Sequence, residues 1–200
     1  MIWLRKLSEL LSIDNVQELL VVGSLPEGDF SHITSRLGDF ISLDGSISLL
    51  QCLRNKKPRV MVTLIGIGTE KGFLMPKTST TLPESWWLAN GYDIGLFAYS
   101  CHSAEYLAES EIRRHINSAL GYEGKLWLSL ETSNVWTIFI RRVREMLKKT
   151  GRIGNETYAF VQAEYSRLIR GHQGRGEVYL TQISLVWQSE HLRVIRGRTL

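Results

Sequence analysis

Cysteine is scarce in this chain: Cys52 and Cys101 are the two cysteines among 200 residues. They form no CxxC pair and no clustered Cys/His spacing, so the sequence predicts neither a disulfide framework nor a zinc site. Long apolar runs are also missing, since the longest falls well short of the roughly 20 residues that a membrane span needs. We therefore expect reduced thiols, no metal, no membrane-spanning helix and no membrane partner.

The N-terminal stretch, MIWLRKLSELLSIDNVQELLVVG, lacks the order of a signal peptide, in which positive, apolar and small residues follow one another. This indicates a cytoplasmic protein. No repeat, low-complexity tract or linker divides the chain, and the apolar fraction of 44% is ordinary for a soluble protein. Two hundred residues can bury a core without disulfides or metals, and we expect one domain over residues 1–200.

Positive charge is concentrated towards the C-terminus. Residues 141–200 hold twelve Lys or Arg against five Asp or Glu, whereas the formal net charge of the whole chain is +4. Such an excess can attract phosphate backbones or an acidic protein partner. The most basic stretch, FIRRVREMLKKTGR, is first of all typical of a solvated helix face. Nucleic acid is therefore a secondary interpretation, behind a protein or peptide partner.

Short apolar runs alternate with helical patterns through the first two thirds of the chain. Buried strands are predicted near residues 18–23, 59–66, 92–99 and 124–130. Helices are predicted in WLRKLSELL, in ISLLQCLRNKK with Ser46 as its cap, in SWWLAN and in SAEYLAESEIRRHINSAL. This alternation favours an α/β fold with a mainly parallel central sheet and helices on both faces.

The last third contains two longer helical patterns and an alternating tail. The helices are predicted in NVWTIFIRRVREMLKKTG and in NETYAFVQAEYSRLIRG, where Asn155 is the cap and Gly171 the stop. The tail, GEVYLTQISLVWQSEHLRVIRG, alternates with a period of two. It predicts a strand or an antiparallel hairpin at one edge of the sheet, with QSE in the turn.

The ends of two predicted strands carry residues suited to a functional site. In an open parallel sheet, ligands and catalytic groups gather just past the carboxyl ends of the strands. Gly66, Ile67 and Gly68 follow the second predicted strand, and Cys101 and His102 follow the third. Cys101 also precedes a helix, whose amide dipoles favour a thiolate. We expect the two segments to lie side by side, with Cys101 as a candidate nucleophile.

The segment from about residue 59 to residue 170 resembles the caspase-like cysteine peptidases, in particular their bacterial CHAT-type members. In that family one strand ends in a His-Gly pair and another in an Asp-apolar-Cys type motif; the histidine is the base, and the cysteine attacks the peptide carbonyl. Here YDIGLFAYSCHSAEYL resembles the second motif, with Cys101 at the nucleophile. GKLWLSLETSNVWTIFIRRVREML resembles the family's strand and covering helix. The resemblance implies a caspase-like domain that acts in bacterial signalling or defence.

The chain departs from that family at the histidine. LIGIGTEKG resembles the family's Gly-His-Gly stretch, but Ile67 stands at the position of the base, and no histidine lies between His32 and His102. General acid–base assistance is typically worth about 10²- to 10⁴-fold in rate, so its loss would cripple peptide cleavage. By the same resemblance, Gly68 would lend its backbone N–H to an oxyanion hole, a role that needs no side chain.

Two functions follow from these observations. The first is a degenerate module that binds a protein or peptide through Gly66, Ile67 and His102 without cleaving it. The second is an active cysteine endopeptidase that uses Cys101 and a base from elsewhere in the fold. Ile67 favours the first.

Plainer interpretations apply to the same residues. Cys101 is equally typical of a small buried hydrophobe at a strand end, and His102, its direct neighbour, of a cap or a surface group. The glycines at 66, 68 and 72 depart from the spacing of a dinucleotide-binding loop, and no helix opens after them. No cofactor is predicted.

Overall fold

The computed structural model describes residues 16–25, 36–43, 48–53, 58–76, 80–89, 91–126, 133–171 and 177–197. Three sequence predictions lie outside these residues: the helix in WLRKLSELL, the cap at Ser46, and residues 127–130 of the predicted fourth strand.

A six-stranded sheet forms the centre of the molecule. Its strands are β1 (Val16–Val22), β2 (Ile41–Ser42), β3 (Arg59–Gly66), β6 (Asp93–Ser100), β7 (Ser118–Tyr122) and β8 (Leu192–Arg196), while β4 (Gly68–Thr69) and β5 (Gly72–Phe73) form a separate hairpin. The order across the sheet is β2-β1-β3-β6-β7-β8. Every neighbouring pair is parallel except β7 and β8. The predicted α/β fold, with its mainly parallel sheet and antiparallel C-terminal edge, is confirmed.

Helices cover both faces of this sheet. Among the described residues the α-helices are α1 (Leu49–Cys52), α2 (Ser103–Glu109), α3 (Ser133–Thr150), α4 (Asn155–Gly171) and α5 (Glu177–His191), and two 3-10 helices span Glu84–Trp87 and Glu111–Arg114. Helices α3 and α4 fall where the helical spacing of apolar residues predicts them. In the part of the chain described, no helix is both long enough and apolar enough to cross a membrane.

Successive side chains of a strand point to opposite faces of the sheet, so the central strands contribute to two apolar cores, one on each face. From β3, Met61 and Ile65 pack in a cluster with residues of α3, α4 and α5. Val60, Val62 and Leu64, which point the other way, pack with α1, α2 and both 3-10 helices. Because both faces are buried, the central strands are continuous apolar runs in the sequence.

The helix predicted over SAEYLAESEIRRHINSAL is wrong in its second half. It ends at Glu109, and Ser118–Tyr122 is the strand next to β6, while residues 124–126, the described part of the predicted fourth strand, are not in a strand. This segment, SALGY, has no β-branched residue, so its strand state comes from its neighbours: it pairs with β6 on one side and β8 on the other. A Cβ on Gly121 would come within 3.0 Å of Ala104 N, so glycine here allows α2 to pack closely.

The tail is predicted to form a strand or a hairpin at one edge of the sheet; the edge strand, Leu192–Arg196, is confirmed, and the hairpin is not formed. Residues 188–190, expected in a turn, lie inside α5. This helix buries Thr181, Ser184 and Gln188 but exposes apolar side chains at Leu180, Ile183 and Val186. A surface helix usually shows the opposite pattern, and the apolar spacing that marks one is therefore missing from the sequence.

Candidate functional site

The two predicted strand ends lie next to each other. Strands β3 and β6 are parallel neighbours with Gly66 opposite Ser100, so the segments that follow them leave the sheet at the same edge. The approach is close: a Cβ on Gly68 would overlap both the carbonyl oxygen of Cys101 and the hydroxyl of Ser100. The expected juxtaposition is confirmed, and it requires glycine at position 68.

These segments line an open cavity of about 630 Å³. Of the residues predicted for the site, Ile67, Gly68, Cys101 and His102 line it, whereas Gly66 lies at the end of β3, against Gly23 and Ser24. Further lining residues, which the sequence did not point to, are Thr69, Glu70, Lys71, Leu74, Thr81, Lys125 and Leu126.

Cys101 is half-buried, in contrast to Cys52, which is buried in the core. The backbone N–H of Leu126 donates a hydrogen bond to the Cys101 sulfur, with a nitrogen–sulfur distance of 3.2 Å. An N–H donor at this distance stabilises negative charge on sulfur. Leu126 follows β7, and nothing in its residue type marks it as a sulfur contact. Cys101 therefore lies at the wall of an open cavity, outside the two buried apolar clusters.

His102 has a left-handed backbone conformation, with φ of 51° and ψ of 18°. It is the one non-glycine residue in the described ranges with a positive φ. Successive side chains of an extended chain point to opposite sides, but this turn lets Cys101 and His102 line the same cavity. His102 occupies the cap position of α2, yet its side chain makes no capping hydrogen bond. Strained backbone of this kind occurs often at functional sites.

Glu105 is a part of the site that the sequence interpretation missed. Its Oε1 accepts a hydrogen bond from the Gly124 N–H at 2.7 Å and lies 3.3 Å from His102 Nδ1. The His102 N–H in turn donates to the Gly124 carbonyl at 2.7 Å. The signal was present in the sequence, because residues three apart lie on the same side of a helical turn.

Gly68 belongs to the β4–β5 hairpin, where it lies opposite Phe73. The Leu74 N–H donates to the Ile67 carbonyl at 3.0 Å. Hydrogen-bonded and non-hydrogen-bonded pairs alternate along an antiparallel ladder, so the Gly68 N–H points away from β5. The amide is therefore directed outside its own hairpin.

Two of the three imidazole rings in the described ranges have partners other than the Cys101 sulfur. His102 faces Glu105, and the ring of His191 stacks on Trp187 at 3.8 Å and donates from Nδ1 to the Trp187 carbonyl at 2.7 Å. His115 precedes β7, at the opposite edge of the sheet. Within the described ranges, no imidazole hydrogen-bonds to the sulfur, and the side chain at position 67 is apolar.

A buried polar network lies beneath the end of β6. The Tyr99 hydroxyl donates to Gln188 Oε1 at 2.8 Å, and the Tyr165 hydroxyl approaches the same oxygen at 3.2 Å. The hydroxyls of Tyr122 and Tyr165 are 2.7 Å apart. Burial raises the pKa of Tyr99, Tyr122 and Tyr165 above the ordinary value, so all three hydroxyls keep their protons. The network joins β6, which ends directly before Cys101, and β7 to α4 and α5.

Comparison with protein-family models, with curated proteins and with solved structures finds no match to this chain.

Proposed function

We propose that this chain is a non-catalytic module that binds a protein or peptide in the cavity at the carboxyl ends of β3 and β6, with a degenerate caspase-like, CHAT-type site. The observation that carries the proposal is Ile67. It lines the cavity beside Cys101, at the position where the resemblance calls for a histidine. The resemblance also motivates the setting that we propose, a bacterial signalling or defence system.

Peptide cleavage by a cysteine needs two proton transfers. The thiol proton must be removed, and the departing amine must receive one. An isoleucine side chain performs neither step, and the hydrogen bonds of the sulfur go to Leu126. The Gly68 N–H can still bind a carbonyl oxygen, since this role needs only the backbone. A site with these groups holds a peptide carbonyl without breaking the bond.

The composition of the cavity supports peptide binding. Its volume of about 630 Å³ falls within the range of roughly 300–1,000 Å³ usual for ligand sites. Ile67, Leu74 and Leu126 offer apolar surface, and Lys71 and Lys125 are exposed at its rim. We propose that an apolar side chain of an extended peptide enters the cavity and that polar groups around it contact the peptide backbone.

Binding is tested with peptides selected from a displayed random library against the natural chain. Ile67→Lys places a charge in the apolar lining, and we expect it to weaken the selected peptides by at least about tenfold, because an unpaired charge is costly to bury. Leu88→Lys is the matched control, since Leu88 is 42% exposed and does not line the cavity. Equal affinity for the natural chain and Ile67→Lys would place the peptide elsewhere and refute the proposal.

The missing base is tested by restoring it. Ile67→His places an imidazole in the cavity, and we expect faster iodoacetamide labelling of Cys101, because the ring takes up the thiol proton. Ile67→Leu is the apolar control, and buried Cys52 serves as the internal reference. If Ile67→His and Ile67→Leu label Cys101 at the same rate, position 67 is not the position of the base.

One observation favours the alternative of an active endopeptidase. His102 lines the same cavity as Cys101 and carries a carboxylate partner, Glu105. In that case His102→Gln and Cys101→Ala would both abolish cleavage of peptides by the natural chain. If no cleavage is detected in the natural chain, His102 has no such role.

The basic C-terminal region has a structural use that accounts for part of its charge. The Glu164 carboxylate is buried and binds Arg142 from α3 at 2.8 Å and Arg167 from its own helix at 2.9 Å. The ion pair with Arg142 connects α3 to α4. Lys148 and Lys149 of α3 are exposed, and we keep nucleic acid as a secondary proposal for a partner at this surface.

A further inference from the structure

We infer that Glu105 is the positioning residue of the cavity: it fixes the tautomer of His102 and holds the loop whose Leu126 N–H contacts the Cys101 sulfur. The inference deepens the proposed function and rests on it for the identity of the ligand as a peptide. It also specifies that His102 acts as a hydrogen-bond acceptor towards such a peptide.

The carboxylate of Glu105 joins two loops through one atom. Oε1 accepts from the Gly124 N–H at 2.7 Å and faces His102 Nδ1 at 3.3 Å. The backbone bond from the His102 N–H to the Gly124 carbonyl closes a ring of three contacts. The His102 and Glu105 side chains are 22% and 35% exposed, so water competes only in part for these bonds.

The first consequence concerns the histidine ring. An ionised carboxylate only accepts hydrogen bonds, so a bond between Glu105 and Nδ1 requires the proton to be on Nδ1. A neutral imidazole with its proton on Nδ1 has an unprotonated Nε2, which accepts a hydrogen bond. His102 lines the cavity, and Nε2 is its ring nitrogen that does not face Glu105. His102 therefore offers a peptide an acceptor, suited to a backbone N–H.

The second consequence concerns the sulfur. Gly124 has a positive φ of 70°, and a Cβ there would lie 3.1 Å from the Trp187 ring, so the loop turns tightly at this residue. Two residues later the Leu126 N–H reaches the Cys101 sulfur. Holding the Gly124 amide therefore also holds the amide that binds sulfur. The hydrogen bonds of Glu105 go to Gly124 and His102, and those of the sulfur go to Leu126, so Glu105 acts on the sulfur through Gly124.

The test uses nuclear magnetic resonance on the whole, ligand-free chain at about pH 8, where an ordinary histidine is neutral. Long-range nitrogen–proton correlations report which ring nitrogen of His102 carries the proton. We expect the proton on Nδ1 in the natural chain, loss of that preference in Glu105→Ala, and recovery in Glu105→Gln, whose amide oxygen still accepts. Glu109→Ala, an exposed residue of the same helix, is the matched control and should behave as the natural chain.

Amide exchange gives the second readout. In Glu105→Ala the Gly124 and Leu126 amides should exchange about tenfold faster or more, the effect of losing a hydrogen bond to a charged group. A natural chain with the proton on Nε2 of His102 overturns the inference, whether or not Glu105→Ala folds. Unchanged exchange at Leu126 in a folded Glu105→Ala overturns the link to the sulfur. No peptide is present, so failure here is distinct from failure of the proposed binding function.

Discussion

His102 is the residue at which backbone strain and the cavity coincide. A left-handed conformation costs a residue with a Cβ about 1 kcal/mol, whereas glycine adopts it freely. We therefore expect His102→Gly to be more stable than His102→Ala by about 1 kcal/mol, although both lose the contact with Glu105. Urea denaturation of the two variants measures this difference. If alanine is as stable as glycine, the strain assigned to this position does not exist.

Gly68 is constrained by the space around it. Because a Cβ there meets the Cys101 backbone, which cannot move aside as a flexible side chain can, Gly68→Ala should destabilise the chain by about 2 kcal/mol. Gly154→Ala is the control, since nothing lies within 4 Å of its added Cβ, and a change within about 0.5 kcal/mol is expected. The free energies of unfolding of the two variants measure this difference. Equal values would contradict the close approach between Gly68 and the Cys101 backbone.

At the scale of elements, the sequence predicted the strands that carry the site and missed those that depend on neighbours. Strands β1, β3 and β6 are largely buried on both faces and mostly apolar, so their composition alone marks them. Strand β7 is short and weakly β-forming, and only its pairing with two neighbours makes it a strand. Helix α5 buries polar residues, among them Gln188, because the hydroxyls of Tyr99 and Tyr165, which are distant in the sequence, hydrogen-bond to its side chain.

The same distinction applies to the site. Ile67, Gly68, Cys101 and His102 were predictable because they follow recognisable strands, and parallel neighbours end at one edge. Leu126 contributes only a backbone N–H, which any residue type supplies, so its role is invisible in the sequence. The left-handed turn at His102 was also unexpected, since non-glycine residues rarely adopt it. This turn is what brings two adjacent side chains into one cavity.

Helix α5 provides a prediction at this scale. Gln188→Leu removes the side-chain oxygen that accepts hydrogen bonds from the Tyr99 and Tyr165 hydroxyls. Both of these buried hydroxyls then lose a hydrogen-bond acceptor. The expected loss in the free energy of unfolding is about 2 kcal/mol. Leu180→Gln on the exposed face of the same helix, where Leu180 is 64% exposed, should have little effect. A Gln188→Leu variant as stable as the natural chain would show that the network contributes nothing.

For the whole molecule, the buried tyrosines predict loss of stability in alkali. Burial raises the pKa of Tyr106 to about 12, with Glu84 adding to the shift, and burial raises that of Tyr99, Tyr122 and Tyr165 as well. In the unfolded chain a tyrosine ionises near pH 10. The stabilisation is therefore complete below about pH 10 and is lost as the pH rises towards the folded-state values.

Urea denaturation between about pH 9 and pH 12 measures this dependence, and tyrosinate absorbance should rise together with unfolding. Tyr106→Phe removes one contributing group and should make the decline less steep. A free energy of unfolding that stays constant from about pH 9 to pH 12 would contradict the burial of these hydroxyls.

Binding of peptides without cleavage is the central property that we propose for this molecule. The measurement is mass spectrometry of a diverse peptide library incubated with the natural chain, with Cys101→Ala and with Ile67→His, with each protein then recovered together with the peptides it retains. We predict that the natural chain cleaves no more than Cys101→Ala and that both retain the same peptides. Cleavage by the natural chain that disappears in Cys101→Ala would contradict the account and show that another group serves as the base.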